Sequence, residues 1–266
     1  MKKTLVYKHK DTLLQGSVHI PEGKGSFPAI LMLHGFASNR MGTQDSFVRM
    51  GNQLESAGFV VFRFDFSGCG ESEGDFFDLT VSREIEEAIA LIHFCRQHPE
   101  VNPDQFHLLG MSLGSVVASM AAGRHPELIK SLCLWSPAAV VVDEITKQGT
   151  IQGKSVDIIK KQGYMDIRGR KLGPALIEDV KTLDIYGTAK SYRGLVKIIH
   201  GDADDIAPIE YAEKYMELYP ESAELVTVSG ADHGWASLED RGILFDETER
   251  FFLRGGSENE DNTGEQ

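Results

Sequence analysis

The chain has 266 residues, of which 40 are acidic and 27 basic, so its formal net charge at pH 7 is −13. This negative excess opposes binding to nucleic acid or to an anionic membrane surface, because both are themselves negatively charged. Apolar residues make up 41% of the chain and no segment approaches the roughly 20 consecutive apolar residues of a membrane span, so the composition predicts a soluble globular protein.

The amino-terminal segment and the cysteines favour a cytoplasmic location. Two early lysines resemble the start of a signal peptide, but the polar run 8–11 interrupts the apolar stretch that such a peptide needs. The cysteines, Cys69, Cys95 and Cys133, are odd in number and lack the spacing of metal ligands, which argues against a disulfide framework and a zinc site. We therefore expect free, mostly buried thiols, no metal and no cofactor.

Short apolar runs alternate along the chain with longer segments of helical periodicity, a pattern typical of a mostly parallel sheet covered by helices. Residues 13–20 alternate like an early antiparallel strand, and 29–33 form a continuous apolar run suited to a strand buried on both faces. Residues 59–64 predict the next strand, with Gly58 at the end of the helical segment before it. The fold class is therefore α/β.

The second half of the chain continues this alternation. Thr80 is the expected cap of a long helix at 81–97, whose apolar side chains recur at helical spacing. Further strands are predicted at 106–109, 131–135, 195–199 and 225–228, with a helix of small residues at 113–123 and a last helix within 238–253. The acidic segment 255–266 has no apolar residue to bury and is expected to be a disordered tail.

One connection is far longer than the others. Nearly 60 residues separate the strands predicted at 131–135 and 195–199, whereas α/β units usually join strands with one helix and loops of about 2 to 6 residues. We therefore expect residues 138–194 to form a lid inserted into a core made of residues 1–137 and 195–254.

The strongest local signal is the sequence Gly-Met-Ser-Leu-Gly at 110–114, which follows one predicted strand directly and precedes a predicted helix directly. A serine on such a tight turn stands clear of the backbone, and a glycine two positions to either side removes side chains that would collide. Ser112 is therefore the candidate nucleophile. The Leu113 amide, at the start of the helix, is a candidate donor to an oxyanion.

A second sequence of the same pattern, Gly-Glu-Ser-Glu-Gly at 70–74, lacks this context. Three residues separate it from the preceding strand, the next helix begins only near Thr80, and its two glutamates would repel an oxyanion. We interpret Ser72 as part of a glycine-rich surface turn.

The loop after the strand at 29–33 contains the second candidate oxyanion donor. In parallel sheets with a nucleophile on a strand-to-helix turn, this loop supplies a backbone amide, and Phe36 occupies that position. His34 is expected to hold the loop by a hydrogen bond, since a catalytic base comes late in the chain order serine, acid, histidine.

His233 is the best candidate base among nine histidines, because it follows the strand at 225–228 and so lies at the carboxyl edge of the sheet, where ligands bind in such folds. The turn after the strand at 195–199 offers three carboxylates for the orienting acid. These are Asp202, Asp204 and Asp205, and spacing alone does not choose among them.

Together these residues resemble the α/β-hydrolase superfamily across about residues 29–253, with a triad in the order Ser112, acid, His233. The turn at 200–208 resembles the family's acid turn, whose catalytic aspartate lies midway between a histidine and a proline, and that resemblance selects Asp204. The loop at 64–74 is similar to the family's loop after strand four.

More narrowly, the segments 64–66, 79–81, 117–120, 136–139 and 230–233 look like those of bacterial cinnamoyl or feruloyl esterases, which carry a lid at the same place. The resemblance implies that polar lid residues contact the aromatic ring of the substrate, and Asp143 and Gln152 lie in similar surroundings. The turn departs from the Gly-His-Ser-Gln-Gly commoner in those esterases, because Met111 and Leu113 make the pocket entrance less polar.

The resemblance implies a serine carboxylesterase that acts on a small-molecule ester through an acyl-enzyme, with a homodimer as a possible assembly. Two alternatives stay open on the sequence. One is a hydrolase of monoacylglycerols, lysophospholipids or short peptides with the same triad. The other is a non-catalytic ligand-binding protein on the same fold, since a fold does not determine a function.

Overall fold

An eight-stranded sheet forms the centre of the computed structural model, which describes residues 1–257. Within these residues the strands are β1 (Lys2–His9), β2 (Thr12–His19), β3 (Phe27–Leu33), β4 (Val60–Phe64), β5 (Val101–Met111), β6 (Ser131–Trp135), β7 (Thr150–Ile151), β8 (Lys154–Ser155), β9 (Met165–Ile167), β10 (Arg170–Leu172), β11 (Leu195–Gly201) and β12 (Ala223–Val228).

The order of the sheet is β1-β2-β4-β3-β5-β6-β11-β12. β2 is antiparallel to both of its neighbours, and the other six strands, β4, β3, β5, β6, β11 and β12, run parallel to one another. The predicted strands are all present. β1 was not predicted from the sequence, because its lysine-rich stretch 2–9 is an exposed edge strand. It is ordered by hydrogen bonding to β2 and not by burial of an apolar face.

Helices cover both faces of the sheet. They are α1 (Ser46–Ser56), α2 (Val81–Arg96), α3 (Leu113–Arg124), α4 (Val140–Asp143), α5 (Asp157–Gln162), α6 (Ala175–Val180), α7 (Ile185–Ala189), α8 (Glu210–Leu218) and α9 (Leu238–Ser257). Thr80 caps α2 as predicted, because its side chain accepts a hydrogen bond from the Arg83 amide. None of the helices within residues 1–257 has both the length and the apolar character of a membrane span.

Successive residues of β3 pack into two different cores. Leu31 and Leu33 belong to the cluster that contains residues of α2 and α3, whereas Ile30 and Met32 belong to the cluster on the other face, with residues of α1 and α9. All four side chains are almost completely buried. A continuous apolar run is therefore required here, because both faces of the strand are covered.

Helix α3 is buried along nearly its whole length, which explains its many small residues. A methyl group at Gly123 would lie 2.2 Å from the carbonyl oxygen of Thr188 in α7, so the two helices touch through their backbones. This close packing fixes α3, and with it the turn that precedes the helix.

Residues 138–194 leave the sheet after β6 and return at β11. They contain α4, a π-helical turn (Glu144–Gln148), the hairpins β7–β8 and β9–β10, and α5, α6 and α7. At the end of the chain, α9 continues to Ser257, beyond the predicted core boundary at 254. Most of the predicted tail, 258–266, lies outside the described residues.

Candidate active site

Ser112 lies on the turn between β5 and α3, with φ 57° and ψ −120°. Both flanking glycines are required by close backbone contacts: a methyl group at Gly110 would lie 2.3 Å from the Gly114 carbonyl oxygen, and one at Gly114 would lie 2.1 Å from the Leu33 carbonyl oxygen. The positive φ of Ser112 is a strained conformation for a non-glycine residue, held by the surrounding packing.

His233 joins the serine to a carboxylate. Its Nε2 lies 2.9 Å from Ser112 Oγ, and its Nδ1 lies 2.7 Å from Asp204 Oδ2. The loop that carries His233 is fixed two residues later, where the Trp235 indole donates a hydrogen bond of 3.1 Å to Ser136 Oγ. The three residues that the sequence identified as a candidate triad are thus in hydrogen-bond contact.

The Asp204 carboxylate is buried and accepts several hydrogen bonds. Its Oδ1 accepts from the backbone amides of Ile206, at 3.0 Å, and Ala207, at 2.7 Å. Burial by itself raises the pKa of Asp204, but hydrogen bonds from His200 and His233 outweigh that effect and hold its pKa far below its ordinary value. The carboxylate is therefore charged at neutral pH and faces the imidazole of His233.

The other two carboxylates of this turn are exposed and make no contact with His233. Asp202 accepts a hydrogen bond of 2.6 Å from the Gly230 amide, which links the turn after β11 to the loop after β12. Asp205 points to solvent. Of the three alternatives, Asp204 alone is placed against the histidine.

His200 is a supporting residue that the sequence analysis gave no role. Its buried Nε2 donates to the Ala207 carbonyl oxygen at 2.7 Å and lies 3.4 Å from Asp204 Oδ2. It therefore holds the far side of the turn that presents Asp204. The signal in the sequence was a histidine at the end of β11, four residues before the acid.

The Phe36 and Leu113 amides have no backbone hydrogen-bond partner within residues 1–257. The loop that carries Phe36 approaches the serine closely at Gly35, where a methyl group would lie 3.0 Å from Ser112 Cβ. Two free amides beside a candidate nucleophile form the arrangement that an oxyanion hole requires.

His34 holds this loop, as predicted. Its Nδ1 donates to the Gly35 carbonyl oxygen at 2.9 Å, and its Nε2 accepts from the Phe66 amide at 3.1 Å. Burial lowers the pKa of His34, so the ring stays neutral and keeps both bonds.

Ser72, in the rejected second sequence, serves the glycine-rich loop at 65–74. Its Oγ donates to the Asp65 carbonyl oxygen at 2.6 Å and accepts from the Gln15 amide at 2.9 Å. Because the hydroxyl both donates to one backbone group and accepts from another, Ser72 is a structural residue.

Two cavities meet at Ser112. The first, which we call the apolar cavity, has a volume of about 40 Å³. The second, which we call the histidine-side cavity, has a volume of about 140 Å³ and contains His233. The apolar cavity is lined by Phe36, Leu113, Ala138, Val140, Val141, Ile151, Leu176 and Ile206, together with Glu144 and Gln152. The other includes Ser38, Gly42, Thr43, Met111, Gln152 and Arg168.

The two residues of the insertion at 138–194 that were predicted to contact substrate lie in different surroundings. Gln152, at the tip of the β7–β8 hairpin, lines both cavities. Asp143 lines neither: its carboxylate accepts a hydrogen bond of 2.8 Å from the Tyr211 hydroxyl and lies 2.9 Å from the Lys147 ammonium. Because each residue of a helical segment points about 100° away from the one before it, Glu144 faces the apolar cavity instead.

Other parts of the described chain offer no competing site. Within residues 1–257, no three histidine, cysteine or acidic side chains cluster as metal ligands do. The cysteines are free and buried, as predicted. A larger depression of about 740 Å³ lies at 190–193 and 217–222, but it is an open groove that includes none of the candidate catalytic residues.

Comparison with known proteins gives the same fold. A family model described as the α/β hydrolase fold matches residues 28–157. Among curated proteins, the mitochondrial palmitoyl-protein thioesterase ABHD10 of Bos taurus is 24% identical over 192 residues, which is 70% of this chain and 60% of that protein. Esterase EstD of Thermotoga maritima is 32% identical over 116 residues, 42% of this chain and 27% of that protein. The chain thus spans less than two thirds of these relatives.

The solved structures match over nearly the whole chain. Est1E from Butyrivibrio proteoclasticus, solved with ferulic acid bound, has a TM-score of 0.85 at 24% identity and covers 94% of this chain and 98% of its own. Mouse ABHD10 has a TM-score of 0.72 at 18% identity, over 95% of this chain and 99% of its own. These likenesses confirm the predicted α/β-hydrolase fold, and the expected resemblance to feruloyl esterases is confirmed at the level of the fold.

Proposed function

We propose that this chain, whose fold is that of the α/β hydrolases and whose relatives include an esterase and a thioesterase, is a serine carboxylesterase. The observation that carries the proposal is the continuous hydrogen-bonded path from Asp204 through His233 to Ser112, which lies on the strained turn between β5 and α3. A fold alone does not determine an activity, and this geometry is what supports a hydrolytic one.

In the proposed first step, Ser112 Oγ attacks the ester carbonyl carbon while His233 Nε2 takes the serine proton. Asp204 fixes the imidazole tautomer and stabilises its charged form. The Phe36 and Leu113 amides donate to the oxygen that gains negative charge, and the loss of one such donor costs about 3 to 4 kcal/mol in comparable sites. His233 then gives its proton to the leaving alcohol, which leaves an acyl group on Ser112.

In the second step His233 activates a water molecule, which attacks the acyl-enzyme and releases the acid. The proposed mechanism uses no metal and no organic cofactor. The water enters through the histidine-side cavity, since that cavity contains both His233 and Ser112.

The proposed substrates are small aromatic esters of the hydroxycinnamoyl type. The apolar cavity beside Ser112 suits an aromatic acyl group, and Gln152 and Glu144 place polar atoms where a ring hydroxyl needs a partner. The similarity to a structure with ferulic acid bound supports the same class. Residues of the insertion, among them Val140, Ile151 and Leu176, line this cavity, so the insertion is proposed to act as a lid over the acyl group.

A hydrolysis screen tests this proposal. We expect methyl ferulate and methyl p-coumarate to be cleaved with higher kcat/KM than a methyl butyrate ester, and all three activities to disappear in Ser112→Ala. Efficient cleavage of a monoacylglycerol or an acyl thioester without cleavage of the cinnamates would reject the aromatic substrate class. It would leave the serine mechanism standing.

A further inference from the structure

The two cavities at Ser112 have different relations to the proposed general acid. His233 must give its proton to the oxygen of the leaving alcohol, so the leaving group lies on the side of the serine where His233 stands. The histidine-side cavity contains that residue, and the apolar cavity does not. The alcohol portion of the substrate therefore occupies the histidine-side cavity.

Arg168 is the charged residue of this cavity. Its lining includes no aspartate and no glutamate, and Arg168 is exposed, with no hydrogen bond or ion pair within the described part of the chain. Asp166, two residues earlier, accepts a hydrogen bond of 2.9 Å from the Gly169 amide and forms no ion pair with Arg168 within residues 1–257. A guanidinium without an acidic partner, in a protein of net charge −13, is a locally positive site beside Ser112.

The backbone at Arg168 is unusual. Arg168 and Gly169 join β9 to β10 as a two-residue loop between the paired residues Ile167 and Arg170, and both have positive φ, 51° and 80°. Positive φ at both central residues defines the tightest hairpin turn, where glycine, asparagine or aspartate is the usual first residue. An arginine here costs roughly 1 kcal/mol or more of backbone strain. Strained residues cluster at functional sites, and Arg168 lines the cavity that contains Ser112 and His233.

The hairpin that carries Arg168 is tied down at its base. Arg170 donates to the Ala37 carbonyl oxygen, on the loop that carries Phe36, and its guanidinium lies 4.3 Å from the centre of the Phe76 ring. Just beyond the other end of β10, the Gly173 amide donates to the Phe77 carbonyl oxygen at 3.0 Å. The tip is therefore held in a fixed position relative to the loop that carries the candidate oxyanion amide.

We propose that Arg168 is a specificity residue that binds a negatively charged group on the alcohol portion of the ester. This inference rests on the proposed function and names the substrate class within it: an ester whose leaving alcohol carries a carboxylate or phosphate. The chemistry is unchanged. The bond from the carbonyl carbon to the alcohol oxygen breaks, the alcohol leaves with the proton from His233, and Arg168 pairs with the anion as the alcohol binds.

Two esters that differ by one charge test the proposal. We compare 4-acetoxybenzoate with 4-acetoxybenzamide, which have the same acetyl group and nearly the same ring. The wild-type protein is expected to cleave the carboxylate with a kcat/KM about 10-fold higher, mostly through a lower KM, because charge-assisted hydrogen bonds contribute more than neutral ones. In Arg168→Gln this ratio falls to about one, and Arg168→Lys retains part of it. A third ester, 4-acetoxyphenyl phosphate, distinguishes phosphate from carboxylate as the preferred anion.

Lys154→Gln is the matched control, since Lys154 is an exposed cation on the β7–β8 hairpin that lines neither cavity. In this variant the ratio of kcat/KM for the carboxylate ester to kcat/KM for the amide should equal that of the wild type. Equal kcat/KM for acid and amide in the wild type, or an unchanged ratio in Arg168→Gln, overturns the assignment of Arg168 while the esterase proposal stands. Wild-type rates in Ser112→Ala would instead overturn the proposed function.

Discussion

The loops at the edge of the sheet and the insertion at 138–194 approach Ser112 from two sides, and they are built differently. Asp204 and His233 follow the neighbouring parallel strands β11 and β12 and are held by several hydrogen bonds to backbone and side chains. The insertion contributes Gln152 and Arg168 from two-residue hairpin tips whose side chains are exposed. The sheet edge therefore fixes the side chains of the candidate catalytic residues, whereas the side chains at the hairpin tips are free to adjust in solvent.

This difference associates the proposed catalytic step with the sheet edge and substrate selectivity with the insertion. Groups that transfer a proton have to stay within hydrogen-bond distance, which a packed strand end provides. Groups that recognise a substrate can change with little effect on the core, because an exposed hairpin tip is surrounded by solvent. Substitutions at the sheet edge should therefore affect every substrate, whereas substitutions in the insertion should affect only some.

The largest effect is expected at the acid of the proposed triad. Asp204→Asn removes the charge that faces His233, and in comparable triads such a change lowers kcat by about 10⁴-fold while the fold is kept. Asp205→Asn, one residue away and exposed, should retain near wild-type kcat. Steady-state kinetics on one ester, with circular dichroism to check folding, measures both. A greater loss in Asp205→Asn than in Asp204→Asn would contradict the account.

A smaller but general loss is expected at Gly35. An alanine there brings a methyl group to 3.0 Å from Ser112 Cβ, which displaces the loop that carries the Phe36 amide. A misplacement of about 1 Å costs roughly 100-fold in rate, so kcat should fall by that order for all esters. Gly242→Ala is the control, because nothing lies within 4 Å of that position on α9. Substrate-dependent losses in Gly35→Ala would argue against an oxyanion role for this loop.

Gln152→Ala tests the insertion. A site built to pair with a ring hydroxyl discriminates against analogues that lack it, so kcat/KM for hydroxylated cinnamates should fall roughly 10-fold. The rate on a plain butyrate ester should change little. The comparison between sheet edge and insertion would fail if both classes of ester lost activity equally.

The smallest effect concerns the contact between α2 and the insertion. Glu84 is buried, one of its carboxylate oxygens has no hydrogen-bond partner, and burial, Glu87 and Asp179 of the insertion raise its pKa well above the ordinary value. At pH values between the pKa of Glu84 in the unfolded chain and its higher pKa in the folded protein, only the folded state keeps this carboxyl protonated. The free energy of unfolding therefore falls as the pH rises through that range.

Glu84→Gln replaces the titrating carboxyl group with a neutral amide. It should therefore stabilise the protein at pH values above the pKa that Glu84 has in the unfolded chain. A gain of about 1 kcal/mol would raise Tm by about 2 to 4 °C for a chain of this length. Thermal unfolding at several pH values measures it, and the variant should show a weaker decline with rising pH than the wild type. A parallel decline in the two proteins would show that Glu84 does not titrate in this way. Asp78→Asn, at an exposed position, serves as the control.

The core and the candidate triad could be located from the sequence because the relevant residues lie within or directly after predicted strands. Ser112 and His233 each follow a predicted strand of the parallel sheet, so the sequence locates them at the same edge of that sheet. The choice of Asp204 needed the family resemblance, since Asp202 and Asp205 follow the same strand and only the folded turn shows which carboxylate is buried.

The insertion could not be predicted in the same detail. Its helices have six residues or fewer and its strands three or fewer, too short for periodicity to indicate which face is buried. Asp143 and Glu144 are equivalent by sequence, and one residue of helical rotation decides which lines the cavity. Arg168 left a weak signal, an Arg-Gly pair flanked by alternating apolar residues, which indicates a tight hairpin but not what its tip approaches.

The central claim, that Ser112 is a nucleophile activated by His233, is tested most directly by covalent labelling. A fluorophosphonate reacts with an activated serine, and mass spectrometry of the digested protein identifies the residue modified. The account predicts one adduct on Ser112, which disappears in Ser112→Ala and persists in Ser72→Ala. An unlabelled wild-type protein, or labelling that persists in Ser112→Ala, would contradict it.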